Sequence, residues 1–233
     1  MLIELNQQFY QTFAVQFSAT RQRVQPGVRQ VLQELDPETN LLDLGCGNGA
    51  LARALAKRGH RGRYTGLDFS LAMLDQVAPS PSEQLITSWV AADLSARDWE
   101  AALPGAPFDL VVAFAVLHHL PGDRLRQQIL QAVRHVLKPD GRFIHSNWQF
   151  LNSPRLRARI QPWETIGLRA EDVDPGDYLV DWRQGGSGLR YVHHFTAQEL
   201  ESLAHACGYR VMQTFLSDGE AGSLGLYQIW QPT

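Results

Sequence analysis

Leu41-Leu42-Asp43-Leu44-Gly45-Cys46-Gly47-Asn48-Gly49 is the stretch that decides how this chain is read. A short apolar run leads directly into three glycines, and a helix-forming segment over residues 50–58 follows until Gly59 ends it. A strand that turns at once into a helix needs residues without a Cβ. The backbone there must take left-handed dihedrals and let another group come close. Alone, that is a permissive turn between a strand and a helix.

Working outward, the same alternation repeats. Residues 63–68 read as a second strand and 70–77 as a helix, capped by Ser70 and closed by Pro79. Residues 85–94 and 108–117 supply two further strands, the latter a continuous apolar run suited to burial on both faces. A helix over 123–137 and a strand over 141–148 complete the series. Upstream, Phe9, Phe13 and Phe17 mark one helical stripe, and Pro26 opens a second helix that Asp36-Pro37 stops. Residues 149–195 break the pattern, with Pro154, Pro162, Pro175, Gly185, Gly186 and Gly188 among only short periodic pieces; so long a connection is usually a lid or binding segment. A helix over 196–207 and two β-like runs, 209–216 and 224–230, then close the chain as an antiparallel hairpin.

The expected architecture is α/β: a Rossmann-like, doubly wound, mostly parallel seven-stranded sheet with an antiparallel C-terminal hairpin. One domain is expected over 1–233, with N-terminal helices over 1–39 and a substrate-side insertion over 149–195. Of the 233 residues 44% are hydrophobic and 19% charged, ordinary for a full core. The net charge of −3 gives no overall pull toward nucleic acid or anionic membrane. No leader-like or spanning apolar run is read, so a cytoplasmic protein without membrane contact is expected. Cys46 and Cys207 show neither metal-ligand spacing nor a disulfide framework, and Cys46 reads as a small buried residue of the loop.

Three acids turn the loop into a candidate site. Asp43 precedes it, Asp68 ends the second strand and Asp93 ends the third, all at the carboxyl edge where α/β sheets bind ligands. Three successive strand ends carrying Asp would be costly in a ligand-free core. Asp68 is placed to reach ribose hydroxyls and Asp93 an adenine amino group. The glycine order, Gly-x-Gly-x-Gly, differs from the Gly-x-Gly-x-x-Gly of pyrophosphate cradles. Asp43 beside it suits a ligand with positive charge, such as a sulfonium with an α-amino group.

The loop, together with Gly66-Leu67-Asp68-Phe69-Ser70, Ala92-Asp93-Leu94 and Val136-Leu137-Lys138-Pro139-Asp140-Gly141-Arg142, resembles the successive motifs of class I S-adenosylmethionine (SAM)-dependent methyltransferases over most of residues 40–148. The resemblance implies SAM as cofactor, with Gly45, Cys46 and Gly47 around its methionine part. It places Asp68 at the ribose and Asp93 at the adenine, with Asp43, Phe69, Ser70, Leu94 and Ala115 as further contacts. A narrower likeness rests on Phe17-Ser18-Ala19-Thr20-Arg21, Ala115-Val116-Leu117-His118-His119, Gly176-Asp177-Tyr178-Leu179-Val180-Asp181-Trp182 and Arg190-Tyr191-Val192-His193-His194-Phe195. These stretches resemble the tRNA wobble-uridine carboxymethyl methyltransferases of the yeast Trm-nine type. That branch implies tRNA as acceptor, a methyl ester as product and, in its eukaryotic members, a small activating partner protein.

On this reading Tyr10, His118 and His119 are the catalytic candidates. Tyr10 lies over the sulfonium or is a half-buried helix aromatic. Each histidine orients the acceptor, acts as a base, or bonds loop backbone. Arg21 is placed on the SAM carboxylate. Arg155, Arg157 and Arg159 contact RNA phosphate, clamp an acceptor carboxylate, or form a solvated face, and Arg190 and Tyr191 are substrate contacts by the resemblance. Trp148, Trp163, Trp182 and Tyr191 offer a stacking platform or, for at least two of them, a small core. No metal is expected, because adjacent histidines diverge. A small-molecule methyltransferase and a non-catalytic SAM-binding protein are the competing readings. A nicotinamide oxidoreductase fits neither the glycine spacing nor the hairpin.

Overall fold

The computed structural model describes residues 1–78 and 84–233. Three helices come first, α1 (Leu2–Thr12), α2 (Ala14–Thr20) and α3 (Pro26–Gln33). The alternating part is β1 (Leu41–Leu44), α4 (Ala50–Lys57), β2 (Arg63–Asp68), α5 (Leu71–Leu74), β3 (Ile86–Ala91), β4 (Phe108–Phe114), α6 (Asp123–Val136) and β5 (Leu137–Trp148). Next come α7 (Pro154–Arg157), β6 (Ile160–Gln161), β7 (Asp177–Trp182) and β8 (Gly188–His193), then α8 (Ala197–Ala206), β9 (Tyr209–Ser217) and β10 (Gly225–Pro232).

The sheet has seven strands in the order β3-β2-β1-β4-β5-β10-β9. β1 to β5 are parallel, while β10 runs antiparallel to both β5 and β9, as the hairpin reading expects. Strand order reverses between β1 and β4, which opens a crevice at their carboxyl ends. Alternating side chains feed two cores. Leu42 and Leu44 face a cluster with Ile129, Leu130 and Val133 of α6 and Leu200 and Leu203 of α8. Leu41 faces the other, with Val28 and Leu32 of α3 and Leu51 and Leu55 of α4. Helices therefore cover both faces, which is why the strands carry almost unbroken apolar runs.

Four details depart from the sequence reading. The phenylalanine stripe does not lie on one helix; the chain breaks at Phe13, letting Phe9 and Phe17 approach the Trp182 ring at 5.6 and 5.8 Å. The helix expected over 70–77 is the single turn α5, with Ser70 capping it by accepting the Met73 N–H. Its expected stop at Pro79 lies outside the described residues. β5 starts at Leu137, and the register shift between Phe108 and Leu110 absorbs residues 138–141.

The insertion departs most. It holds a second, three-stranded antiparallel sheet, β6-β7-β8, where the sequence showed only short pieces. Trp163, Leu179 and Tyr191 form a small core on it, against Leu2 and Leu5 of α1. Its strands pair within one local segment, so a β6 of two residues suffices and little periodicity reaches the sequence. Among the described residues, no helix is long and apolar enough to cross a membrane.

Candidate active site

The crevice is a cavity of about 600 Å³, within the range of ligand sites. Its floor is the glycine loop. Gly45 has φ +68°, and a Cβ there would sit 2.6 Å from Val116; Gly49 has φ +71°, and a Cβ would meet Trp89 at 2.8 Å. Both positions demand glycine for conformation and for space. Opposite the loop, Ala115 holds φ +59° just past β4, with its N–H donating to Ser146. Backbone strain of this kind gathers at functional sites.

The three acids line the cavity, each differently held. Asp43 accepts a 2.6 Å hydrogen bond from Tyr64, and burial pushes its carboxyl up to about 7 against that bond's opposing pull. Asp68 is also raised by burial, while the N–H groups of Ser70 and Gly47 donate to its two oxygens at 2.9 Å. Asp93 accepts from Ser95 and, at 2.7 Å, from Gln7 of α1. Two buried carboxylates with raised pKa values favour a cationic guest, because positive charge restores their ionised form. That suits the sulfonium and ammonium of SAM.

The roof is α1 and α2. Tyr10 shares a 2.7 Å hydrogen bond with His119 Nε2. His119 Nδ1 faces the Tyr191 carbonyl at 3.1 Å, and a carbonyl only accepts, so Nδ1 carries the proton and Tyr10 donates to Nε2. Burial, then Arg190, then Arg21 hold His119 down to about 3, against the opposing Tyr191 carbonyl. His118 is likewise driven low by burial, His119 and Arg190. At neutral pH both rings are uncharged. Protonating His119 at pH 7 costs roughly 5 kcal/mol, four units below solution pH, so it is a poor general base.

The far wall belongs to the insertion. Arg190 is only 5% exposed and lies over three rings: Phe9 at 5.0 Å, Trp182 at 5.3 Å and Trp148 at 5.4 Å. Its guanidinium interacts with the Tyr10 hydroxyl, and its Nε has no partner. Among the described residues no carboxylate reaches it at ion-pair distance. A buried cation in that state is costly until an anion arrives.

The cavity gathers most of the sequence-expected set: Tyr10, Arg21, Asp43, Gly45, Cys46, Gly47, Asp68, Phe69, Asp93, Leu94, Ala115, His118, His119, Arg155 and Arg190. Three do not reach its wall. Ser70 is fully buried as the α5 cap and as a donor to Asp68. Arg157 is exposed and outside the cavity, whereas Arg159, a turn of chain away, lines it. Tyr191 is fully buried, its hydroxyl donating to Asp177 at 2.7 Å and accepting from Arg126 at 3.0 Å, so its side chain packs rather than stacks on a ligand. Trp163 joins it in the core; Trp148 and Trp182 face the cavity. His193 is tied to Asp177 and Glu199 at 2.6 and 2.7 Å, away from His118 and His119. Among the described residues no cluster of His, Cys, Asp or Glu is arranged around a metal.

Sequence reasoning missed Asn6 and Gln7 of α1 and Asp218 of the hairpin turn, all on the cavity wall. The available signal was a polar pair on an apolar helical stripe, with Asn6 and Tyr10 four apart.

Residues 42–143 match the family described as a methyltransferase domain. A protein of Encephalitozoon cuniculi named as a methyltransferase is 27% identical over 205 residues, 88% of this chain and 86% of its own length. A trans-aconitate 2-methyltransferase of Streptomyces avermitilis is 38% identical over 92 residues, 39% of this chain and 33% of that protein. Other curated methyltransferases are spanned for about a third to under two thirds of their length. Among solved structures, the DhpI–SAM–HEP complex shares the fold with a TM-score of 0.68 at 20% identity, covering 99% of this chain and 98% of that one.

Proposed function

We propose that this SAM-dependent methyltransferase, whose residues 42–143 match the methyltransferase domain family, takes a carboxylate as acceptor and gives its methyl ester. The observation that carries the reading is Arg190: a buried, aromatic-walled guanidinium without a carboxylate partner among the described residues, lining the same cavity as the acids. A carboxylate supplies the missing charge and accepts the planar, two-pronged donor pattern of a guanidinium. The low-lying His119 supports the same conclusion. An alcohol or amine would need a base, whereas a carboxylate is already ionised at neutral pH.

Bound SAM supplies a methyl carbon activated by the neighbouring sulfonium. Asp43, Asp68 and Asp93, with the glycine loop, would hold it, and Arg21 would meet its carboxylate. Arg190 orients the acceptor, and Tyr10, fixed by its hydrogen bond to His119, closes the roof. The new C–O bond forms as the C–S bond breaks; two opposite charges are consumed and no proton moves. Rate enhancement then comes from alignment and from excluding water between the charges.

The acceptor we favour is a small organic acid, because α1 and α2 roof the cavity. The trans-aconitate 2-methyltransferases are relatives whose named substrate is a polycarboxylic acid. The carboxymethyl wobble uridine of tRNA carries the same functional group. That reading, with a cytoplasmic enzyme and an activating partner, rests on the motif likeness and on Arg155 and Arg157, exposed on the insertion. Methyl-labelled SAM incubated with a panel of small carboxylic acids, and separately with tRNA from cells lacking this gene, divides the cases. Mild alkali should release the label as methanol from the small-acid reaction. Alkali-stable label would overturn ester formation, and label confined to tRNA would move the acceptor to the wobble uridine.

A further inference from the structure

We infer that Asn6 is a positioning residue that latches α1 over the cavity and sets the Tyr10–His119 pair. The inference depends on this cavity being the SAM site, not on which acceptor is used. The Asn6 carboxamide is 5% exposed and fully engaged. Its Oδ1 accepts the Tyr191 N–H at 2.9 Å, while its Nδ2 donates to the Tyr191 carbonyl at 3.0 Å and to the His119 carbonyl at 3.1 Å. One orientation of the amide satisfies all three, since Oδ1 must face the N–H and Nδ2 the two carbonyls. The side chain thus does for the unpaired edge of β8 what a neighbouring strand would do.

The Tyr191 carbonyl is shared. It also accepts the proton of His119 Nδ1, the contact that fixes the tautomer leaving Nε2 free for Tyr10. Asn6 and Tyr10 are four residues apart on the same face of α1, so both ends of this circuit hang from one helix. Asn6 fixes the Tyr191 peptide, that peptide fixes His119, and His119 fixes Tyr10. Between them Gln7 reaches across to Asp93 at 2.7 Å, so one turn of α1 touches the insertion and the cofactor side together. The rest of α1 packs through Leu2, Leu5 and Phe9 against the insertion.

The test uses SAM alone as ligand. Stopped-flow tryptophan fluorescence reads its release, and nitrogen chemical shifts of 15N-histidine-labelled protein read the His119 tautomer. Asn6→Ala should speed SAM release by about tenfold, the weight of one to two net hydrogen bonds, and replace the single Nδ1–H tautomer of His119 by a mixture. Tyr10→Phe should speed release too, and the double variant should do little more than the stronger single one, because both act through one circuit. Additive effects, or an unchanged tautomer in folded Asn6→Ala, would overturn the inference. Should that variant not fold, Asn6→Asp serves. It keeps the volume and the acceptor for Tyr191 N–H but loses both donors, so wild-type release and tautomer in it would equally sink the latch. Neither readout involves an acceptor, so failure of the ester proposal leaves this test standing.

Discussion

Two arginines are buried among the described residues, and their surroundings differ in one respect. Arg126 on α6 is 1% exposed and saturated: it donates to the Leu120 carbonyl, to Asp123 and to the Tyr191 hydroxyl, with Asp177 at 3.8 Å and the Phe195 ring 4.9 Å below. Arg190 on β8 is nearly as buried, yet it has rings where Arg126 has acids. The first is a joint between the insertion and the main sheet, its charge neutralised inside the fold. The second leaves its charge for something else. A buried cation without an internal counter-ion marks the ligand side of a protein more sharply than burial or charge alone.

The comparison breaks most visibly if the saturated arginine is removed. Arg126→Met takes the nearby cation from Asp177, leaving it the Tyr191 hydroxyl and His193, and removes the donor to that hydroxyl; it should cost about 3 kcal/mol of stability, the low end for breaking a buried pair. Denaturant melts would show it as a lowered midpoint at constant slope. A loss under 1 kcal/mol would mean the joint is ornamental.

Arg190→Met should do the reverse. It removes a charge that the fold does not neutralise, so the midpoint should hold or rise, while ester formation falls by about 100- to 1000-fold, the scale for losing one charged group from a reacting site. SAM affinity by calorimetry should change less than about threefold. A variant that is both active and unstable would show Arg190 to be a second structural arginine.

The smallest effect concerns a third buried base. His145 on β5 is fully buried and driven to about 3 by burial alone. Its folded pKa is below its unfolded value of 6.5, so its neutral form contributes stability present above pH 6.5 and lost as pH falls toward 3. At pH 5 that loss is about 2 kcal/mol, 1.5 units' worth. His145→Asn should therefore flatten the acid limb of the stability profile by about that amount, whatever it costs at pH 7. Asp43, raised to about 7, works in the opposite sense, losing stability as pH rises from 3.8 through 7, and leaves part of the acid limb masked in both proteins.

The cofactor half of the site was legible in the sequence and the acceptor half only in outline, for a physical reason. Asp68 ends β2, Asp43 stands one residue before the end of β1, and Asp93, expected at the end of the third strand, lies two residues past β3, so strand order alone still brings the three to one edge. The loop glycines announce themselves because no other residue takes their dihedrals beside Val116 and Trp89. On the acceptor side the pattern is side chains against remote backbone. Nothing local tells Arg190, facing the cavity, from Tyr191 beside it, facing the core; their alternation on β8 decides, and β8 itself was hidden in a segment rich in glycine and proline. Asn6 was less legible still. Its partners are a peptide 185 residues away and a carbonyl 113 residues away, which no periodicity encodes.

That separation also sets an order of events during synthesis. The roof helix leaves a ribosome about 180 residues ahead of the edge it latches onto, Gly188–His193, an interval of some 10–40 s at ordinary elongation rates. For that interval Leu2 and Leu5 of α1 lack the insertion core they pack against, and the Asn6 latch must wait on a loop closure of 185 residues. A nascent chain stalled before residue 188 would carry the complete glycine loop with α2 already tied to it through Ser18 and Asn48, but with the Asn6 latch of α1 still open.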